Sequence, residues 1–189
     1  SQSPASMPVA RSLLMSNCTE PGTDKFMGWC REEVTEFLEG RSVAILPYAT
    51  PRDSQVSYAE ELAEKLSAIG ITSEYIPISD STTRDVARLH QAAIFLPGGN
   101  THRLLQTLQE FGLPDVIGNK VESGDLFYIG SSAGAIVACP TIATTNDYPV
   151  VPVRSIRAIN LVPFQIKPHF GNSSADSAAY QHKMDINHY

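Results

Sequence analysis

The sequence predicts an α/β domain built on a doubly wound, mostly parallel sheet with helices on both faces. Strand-like and helix-like segments alternate along the chain, which is the signature of β-α-β units. Glycine-rich turns also follow apolar runs where strands should end, and in such sheets the active site gathers at the carboxyl ends of the strands. The chain has 189 residues, 42% of them hydrophobic and 18% charged, as expected of one ordinary globular domain with a single core.

The elements follow in order. Residues 11–16 (RSLLMS) form a short buried strand. Residues 24–38 form a helix with Phe26, Trp29, Val34, Phe37 and Leu38 near helical spacing and Gly40 as its stop. Residues 42–46 are a second strand closed by Pro47, and 58–69 a second helix ended by Gly70. A third strand, 74–78, is followed by a short helix at 83–90. A fourth strand, 93–96, leads through Gly98 and Gly99 into a helix at 101–111. Another helix covers 115–122, and a fifth strand, 126–129, meets Gly130. Residues 1–10 read as a flexible arm without the apolar core of a secretory signal, Met7 being a possible natural start. Residues 11–170 make up the α/β domain, and 171–189 a polar tail.

The net charge of −6 argues against nucleic acid or an anionic membrane as partner, since both require a basic face. No apolar run approaches the roughly 20 residues of a membrane span. Cys18, Cys30 and Cys139 are odd in number and widely spaced, which makes neither a disulfide framework nor a zinc site. Reduced thiols and a cytoplasmic location are the expectation, with Cys139 packed in an apolar stretch.

The segment YIGSSAGAIVACPT, 128–141, carries the sharpest signal. Gly130, Ser132 and Gly134 fit G-x-S-x-G, the strand-to-helix elbow that exposes a serine hydroxyl. Such a serine needs a base, usually histidine, oriented by a carboxylate. His90 falls at a helix end, His182 and His188 in the polar tail, and His102 beside the glycine turn. His169 follows a strand-like run, 164–168, that ends in Pro168, a placement suited to holding an imidazole at a sheet edge. Asp147, in the turn-forming TTNDYP, is the one acidic residue between the elbow and His169. A triad would therefore run Ser132, Asp147, His169. For the oxyanion, Ala133 N–H is one natural donor, and the Pro97–Thr101 turn, where glycine allows close backbone approach, could give a second. That turn lacks both the Rossmann glycine spacing and the P-loop lysine.

PGGNTHRLL, GSSAGAIVACPTIATTNDYP and NLVPFQIKPHF, with LLMSN and ILPYAT earlier, resemble the peptidase E family of α-aspartyl dipeptidases, serine peptidase family S51. The resemblance covers roughly 11–170. It implies a flavodoxin-like fold related to class I glutamine amidotransferase domains. It also implies a cytosolic enzyme hydrolysing dipeptides with N-terminal aspartate, with neither metal nor organic cofactor. Ser132 matches the family's nucleophile, His169 the base, Asp147 the carboxylate, and Gly99 and Ala133 the oxyanion donors. The partner implied is a small peptide with N-terminal Asp, and the protein a monomer or homodimer.

Family members follow the histidine with a G-E-T-R-like run and further strands. Here no arginine occurs after Arg157, and 171–189 offers no β-run, so the C-terminal strands are expected to be missing. Asn100 and Arg103 are the candidate substrate contacts, with Arg52, Arg154 and Arg157 as other cations. Two other functions stay open: a related peptidase acting on cyanophycin-like β-aspartyl polymers, and a non-catalytic binding protein on the same scaffold.

Overall fold

The structure, a computed structural model, describes residues 11–19, 23 and 25–170. Its elements are β1 (Ser12–Met15), α1 (Arg31–Leu38), β2 (Val43–Ile45), α2 (Gln55–Ala68), β3 (Ser73–Tyr75), α3 (Thr82–Arg88), β4 (Ala92–Leu96), α4 (Thr101–Glu110), α5 (Leu113–Ser123), β5 (Leu126–Ser131) and α6 (Ala133–Val137). The strands form one five-stranded sheet in the order β1-β5-β4-β2-β3, and every pair is parallel.

Successive side chains of a strand point to opposite faces, and here both faces are buried. Ala44, Ile94, Leu96, Leu126 and Tyr128 belong to one apolar cluster with Leu104 and Leu108 of α4 and Ile117 of α5. Val43, Ile45, Ala93, Phe95, Phe127 and Ile129 belong to a second, with Val34 and Leu38 of α1 and Leu62 and Leu66 of α2. The central strands β4 and β5 are buried along their whole length, which is why they read as unbroken apolar runs.

Several expected boundaries shift. The expected helix at 24–38 survives only as Arg31–Leu38. Met27 takes φ +50, its N–H donates to Cys18 O at 2.6 Å, and Thr19 and Phe26 form an antiparallel bridge. These contacts bend the segment 26–30 into a turn that buries Met27 completely. Conversely, α2 starts three residues early, because a 3₁₀ turn at Arg52–Ser54 runs into it. The strand-like run 164–168 is not a strand. Phe164 is exposed, Ile166 N–H donates to Cys139 Sγ, and Ile166 O accepts from the Thr144 hydroxyl. Those contacts lie outside the sheet, so no ladder forms. The expected arm 1–10 and tail 171–189 lie outside the described residues. No helix among the described residues is long and apolar enough to cross a membrane.

Candidate active site

Leu96 is in register with Gly130, so the turns that follow β4 and β5 leave the sheet side by side. The first turn contains Gly98 and Gly99, the second Ser132. Small residues are obligatory at this junction. A Cβ on Gly134 would lie 1.9 Å from Leu96 O, and one on Gly130 would lie 2.6 Å from Gly134 O. Both outer glycines of G-x-S-x-G are thus set by the close passage of α6 over β4 and β5. Tyr128 adds a tie here, its buried hydroxyl donating to Gly134 O at 2.7 Å. Burial holds this phenol well above its ordinary pKa, so it remains a neutral donor.

Ser132 has φ +53 and ψ −110, a sparsely populated conformation for a residue with a side chain. It is held by Ser132 N–H donating to Met15 O and by Ile136 N–H donating to Ser132 O, each at 3.0 Å. The hydroxyl is therefore fixed at the head of α6, beside Gly98, whose added Cβ would stand 3.3 Å from Ser132 Cβ. Gly99, at φ +138, passes so close to Ala49 that a Cβ would meet the Ala49 Cβ at 2.7 Å. Asn100 N–H donates to Ala49 O at 3.0 Å. The carboxyl ends of β2, β4 and β5 thereby converge. Ala133 N–H is among the first amides of α6, which a helix leaves without an intrahelical acceptor.

His169 reaches this point from a segment distant in sequence. Its Nε2 lies 2.7 Å from Ser132 Oγ. The residue is in the left-handed region, φ +62, and its N–H donates to Ser16 Oγ at 2.6 Å. Ser16 directly follows edge strand β1, so β1 anchors both members of the pair, through Met15 O and Ser16 Oγ. The expectation of an imidazole at a sheet edge holds, although a turn rather than a strand delivers it. Ser16→Ala should slow fluorophosphonate labelling of Ser132 by about five- to tenfold, the kinetic equivalent of about 1 kcal/mol for one hydrogen bond. An unchanged labelling rate would show that Ser16 does not hold the histidine.

Asp147, the expected carboxylate of the triad, is bound at the head of α4. Among the described residues no hydrogen bond or ion pair joins its carboxylate to His169. Its Oδ2 instead accepts from Thr101 N–H at 2.7 Å and from the Thr101 hydroxyl at 2.6 Å. The physical reason is that Thr101 opens α4, where unpaired amides and the helix dipole favour a carboxylate. Asn100 is likewise engaged by the protein itself. Its Oδ1 caps Arg103 N–H at 3.0 Å and its Nδ2 donates to Tyr148 O at 2.9 Å. Arg103 lies in the first turn of α4, and its buried Nε has no hydrogen-bond partner among the described residues.

The thiols do not compete as nucleophiles. Burial pushes Cys18 and Cys30 up to about 11, and it also raises Cys139, so each is the unreactive thiol at neutral pH. Cys139 packs as expected and also accepts from Ile166 N–H at 3.3 Å, steering the chain towards His169. No group of three His, Cys, Asp or Glu side chains able to hold a metal occurs among the described residues. Sequence reasoning gave no individual role to Ser16, Gly98, Thr101 or Thr145, the glycine turn being named only as a whole. Their position at or just beyond strand ends was the available signal for the first three.

The family model for peptidase family S51 matches residues 12–188. Peptidase E of Nostoc sp. strain PCC 7120 is 38% identical over 165 residues, covering 86% of this chain and 66% of that protein. Peptidase E of Shigella flexneri is 40% identical over 166 residues, covering 85% of this chain and 69% of that protein. The chain thus spans about two thirds of the length of these curated relatives. Among solved structures, a candidate peptidase E protein of Listeria monocytogenes EGD-e superposes with a TM-score of 0.71 at 28% identity, over 93% of this chain and 87% of that one. A peptidase from an acI-B1 actinobacterium shares the fold, with a TM-score of 0.64 at 19% identity, over 88% of this chain and 72% of that one.

Proposed function

Since this chain belongs to peptidase family S51, we propose that it is a serine exopeptidase that releases N-terminal aspartate from dipeptides and short peptides through an acyl-enzyme. The observation that carries this reading is the 2.7 Å contact between Ser132 Oγ and His169 Nε2 on a strained elbow. For that contact to activate the hydroxyl, Nε2 must be the unprotonated nitrogen, with the ring proton on Nδ1.

Ser132 Oγ then attacks the scissile carbonyl while its proton passes to His169 Nε2. The oxyanion that develops is assigned to the N–H groups of Gly99, in the turn beside the elbow, and of Ala133, at the head of α6. Collapse of the tetrahedral intermediate breaks the C–N bond, and the imidazolium returns its proton to the leaving amine. A water then gives a proton to His169 and attacks the acyl carbon. The ester C–O bond breaks and Ser132 recovers its proton. Arg103 is assigned to the substrate's aspartyl carboxylate. It follows the glycine turn by four residues, and its Nε is buried without a partner among the described residues.

The test is a substrate panel with full-length protein, comparing Asp-Leu, its β-aspartyl isomer and a neutral dipeptide. Preferential hydrolysis of Asp-Leu is the expected result, with KM raised about tenfold in Arg103→Gln and kcat little changed, as for loss of one charge-assisted contact. Preference for the β-linked isomer would replace the aspartyl dipeptidase reading with a β-aspartyl one. Failure to hydrolyse any of the three would remove both.

A further inference from the structure

The carboxylate expected to orient the histidine is bound elsewhere, and its surroundings suggest what it does there. Asp147 N–H donates to Thr145 Oγ1 at 3.1 Å. The Thr145 hydroxyl donates to Thr101 Oγ1 at 3.1 Å, and the Thr101 hydroxyl donates to Asp147 Oδ2 at 2.6 Å. The donors and acceptors run in one direction around a closed ring, so each bond polarises the next. Thr101 N–H adds a further bond to the same carboxylate oxygen, and Asn100 Nδ2 to Tyr148 O supplies a strap beside it. Thr101 is wholly buried, so its hydroxyl depends on these partners.

We propose that Asp147 is a positioning residue for the Gly98–Gly99 turn: it locks the 144–148 loop onto the first residue of α4 and so fixes the turn that stands beside Ser132. The proposal rests on the peptidase reading for its catalytic consequence. Its geometric content is independent of that reading. Gly98 and Gly99 have no side chains with which to hold themselves, and Gly99 sits at φ +138 against Ala49. Their position is fixed from the two ends. On one side β4 delivers the chain, and on the other Asn100 N–H is tied to Ala49 O and Thr101 to Asp147. If Asp147 releases Thr101, the distal end of the turn loses its strongest tether. Displacement of an oxyanion donor by about 1 Å is enough to cost on the order of 10²-fold in rate.

The experiment uses the full-length protein with Asp147→Asn, Thr101→Val, Thr101→Ser and the Asp147→Asn/Thr101→Val double variant. Hydrogen exchange by mass spectrometry follows residues 98–101, and steady-state kinetics on Asp-Leu are measured from acid to neutral pH. Expected is faster exchange at 98–101 in Asp147→Asn and Thr101→Val. kcat falls about 10- to 100-fold in both, while KM and the midpoint of the acid limb stay put. The double variant should be no slower than the slower single, as for two ends of one interaction, and Thr101→Ser should restore exchange and kcat because it keeps the hydroxyl. Unchanged exchange at 98–101 in both single variants overturns the proposal. So does a shifted acid-limb midpoint in Asp147→Asn alone with Thr101→Val silent, which would return Asp147 to the histidine. Accelerated exchange in the two single variants, together with a wild-type protein that shows no Ser132-dependent turnover, would leave the lock standing and remove the peptidase reading.

Discussion

Ser132→Ala should lower kcat on an aspartyl dipeptide by about 10⁴- to 10⁶-fold, the range seen when a serine nucleophile is removed and only binding and oxyanion donors remain. His169 would then have no hydroxyl to deprotonate, although its backbone bond to Ser16 persists. The same position tests the strain in the elbow. Alanine has a Cβ and must keep φ +53 and ψ −110 at the same cost as serine, whereas glycine adopts such dihedrals freely. Ser132→Gly should therefore be inactive as well, yet more stable than Ser132→Ala by about 1–2 kcal/mol after allowing for glycine's greater unfolded-state entropy. For a chain of this size that is a rise in Tm of about 3–6 °C. Retention of turnover by Ser132→Ala would end the nucleophile assignment. A glycine variant no more stable than the alanine one would mean that the elbow stores no strain.

The elbow was legible in the sequence because its determinants are local. Gly130, Ser132 and Gly134 lie within five positions, and the tight passage that requires the glycines occurs where that strand meets that helix. The buried strands were legible for a similar reason, since a strand covered on both faces is apolar at consecutive positions. The order of the strands was not. Nothing local says that β1 lies beside β5, yet that neighbour relation is what brings Ser16 and Met15 to the Ser132–His169 pair. The partner of the carboxylate was not legible for the same kind of reason. Asp147 precedes His169 in a plausible order, but which partner a loop carboxylate finds is decided by tertiary packing, and the open end of α4 is a stronger attractor for it. In the segment 24–38 the apolar spacing was helical, but a turn held by Cys18 O and the Thr19–Phe26 bridge overrode it. Propensity yields to such contacts because its total over a few residues is only about 1–2 kcal/mol.

Gly134→Ala is the substitution expected to damage the fold most. Alanine is ordinarily the better helix residue by about 1 kcal/mol, so an isolated view of α6 predicts stabilisation. The packing predicts the reverse. The new methyl would stand 1.9 Å from Leu96 O, 2.8 Å from Leu96 C and 3.1 Å from Leu96 Cβ, and the first two are backbone atoms at the end of a central strand. No rotamer change can relieve that overlap. Either α6 lifts from the sheet or β4 shifts in register with β5, and both movements open the cluster that holds Tyr128, Leu104 and Val137. A loss of about 3 kcal/mol or more is expected, since forced overpacking in a core costs about 1–3 kcal/mol even where side chains can adjust. The corresponding fall in Tm is about 6–12 °C. Gly118→Ala is the matched control. It lies inside α5, where the nearest atom to an added Cβ is Ile159 O at 3.9 Å, so the helix preference should act alone and raise stability by about 0.5–1 kcal/mol. Thermal unfolding of the two variants side by side decides between propensity and packing. A Gly134→Ala protein as stable as wild type would show that α6 does not pass over β4 at this distance, and with it the geometry that places Ser132 beside Gly98 would fall.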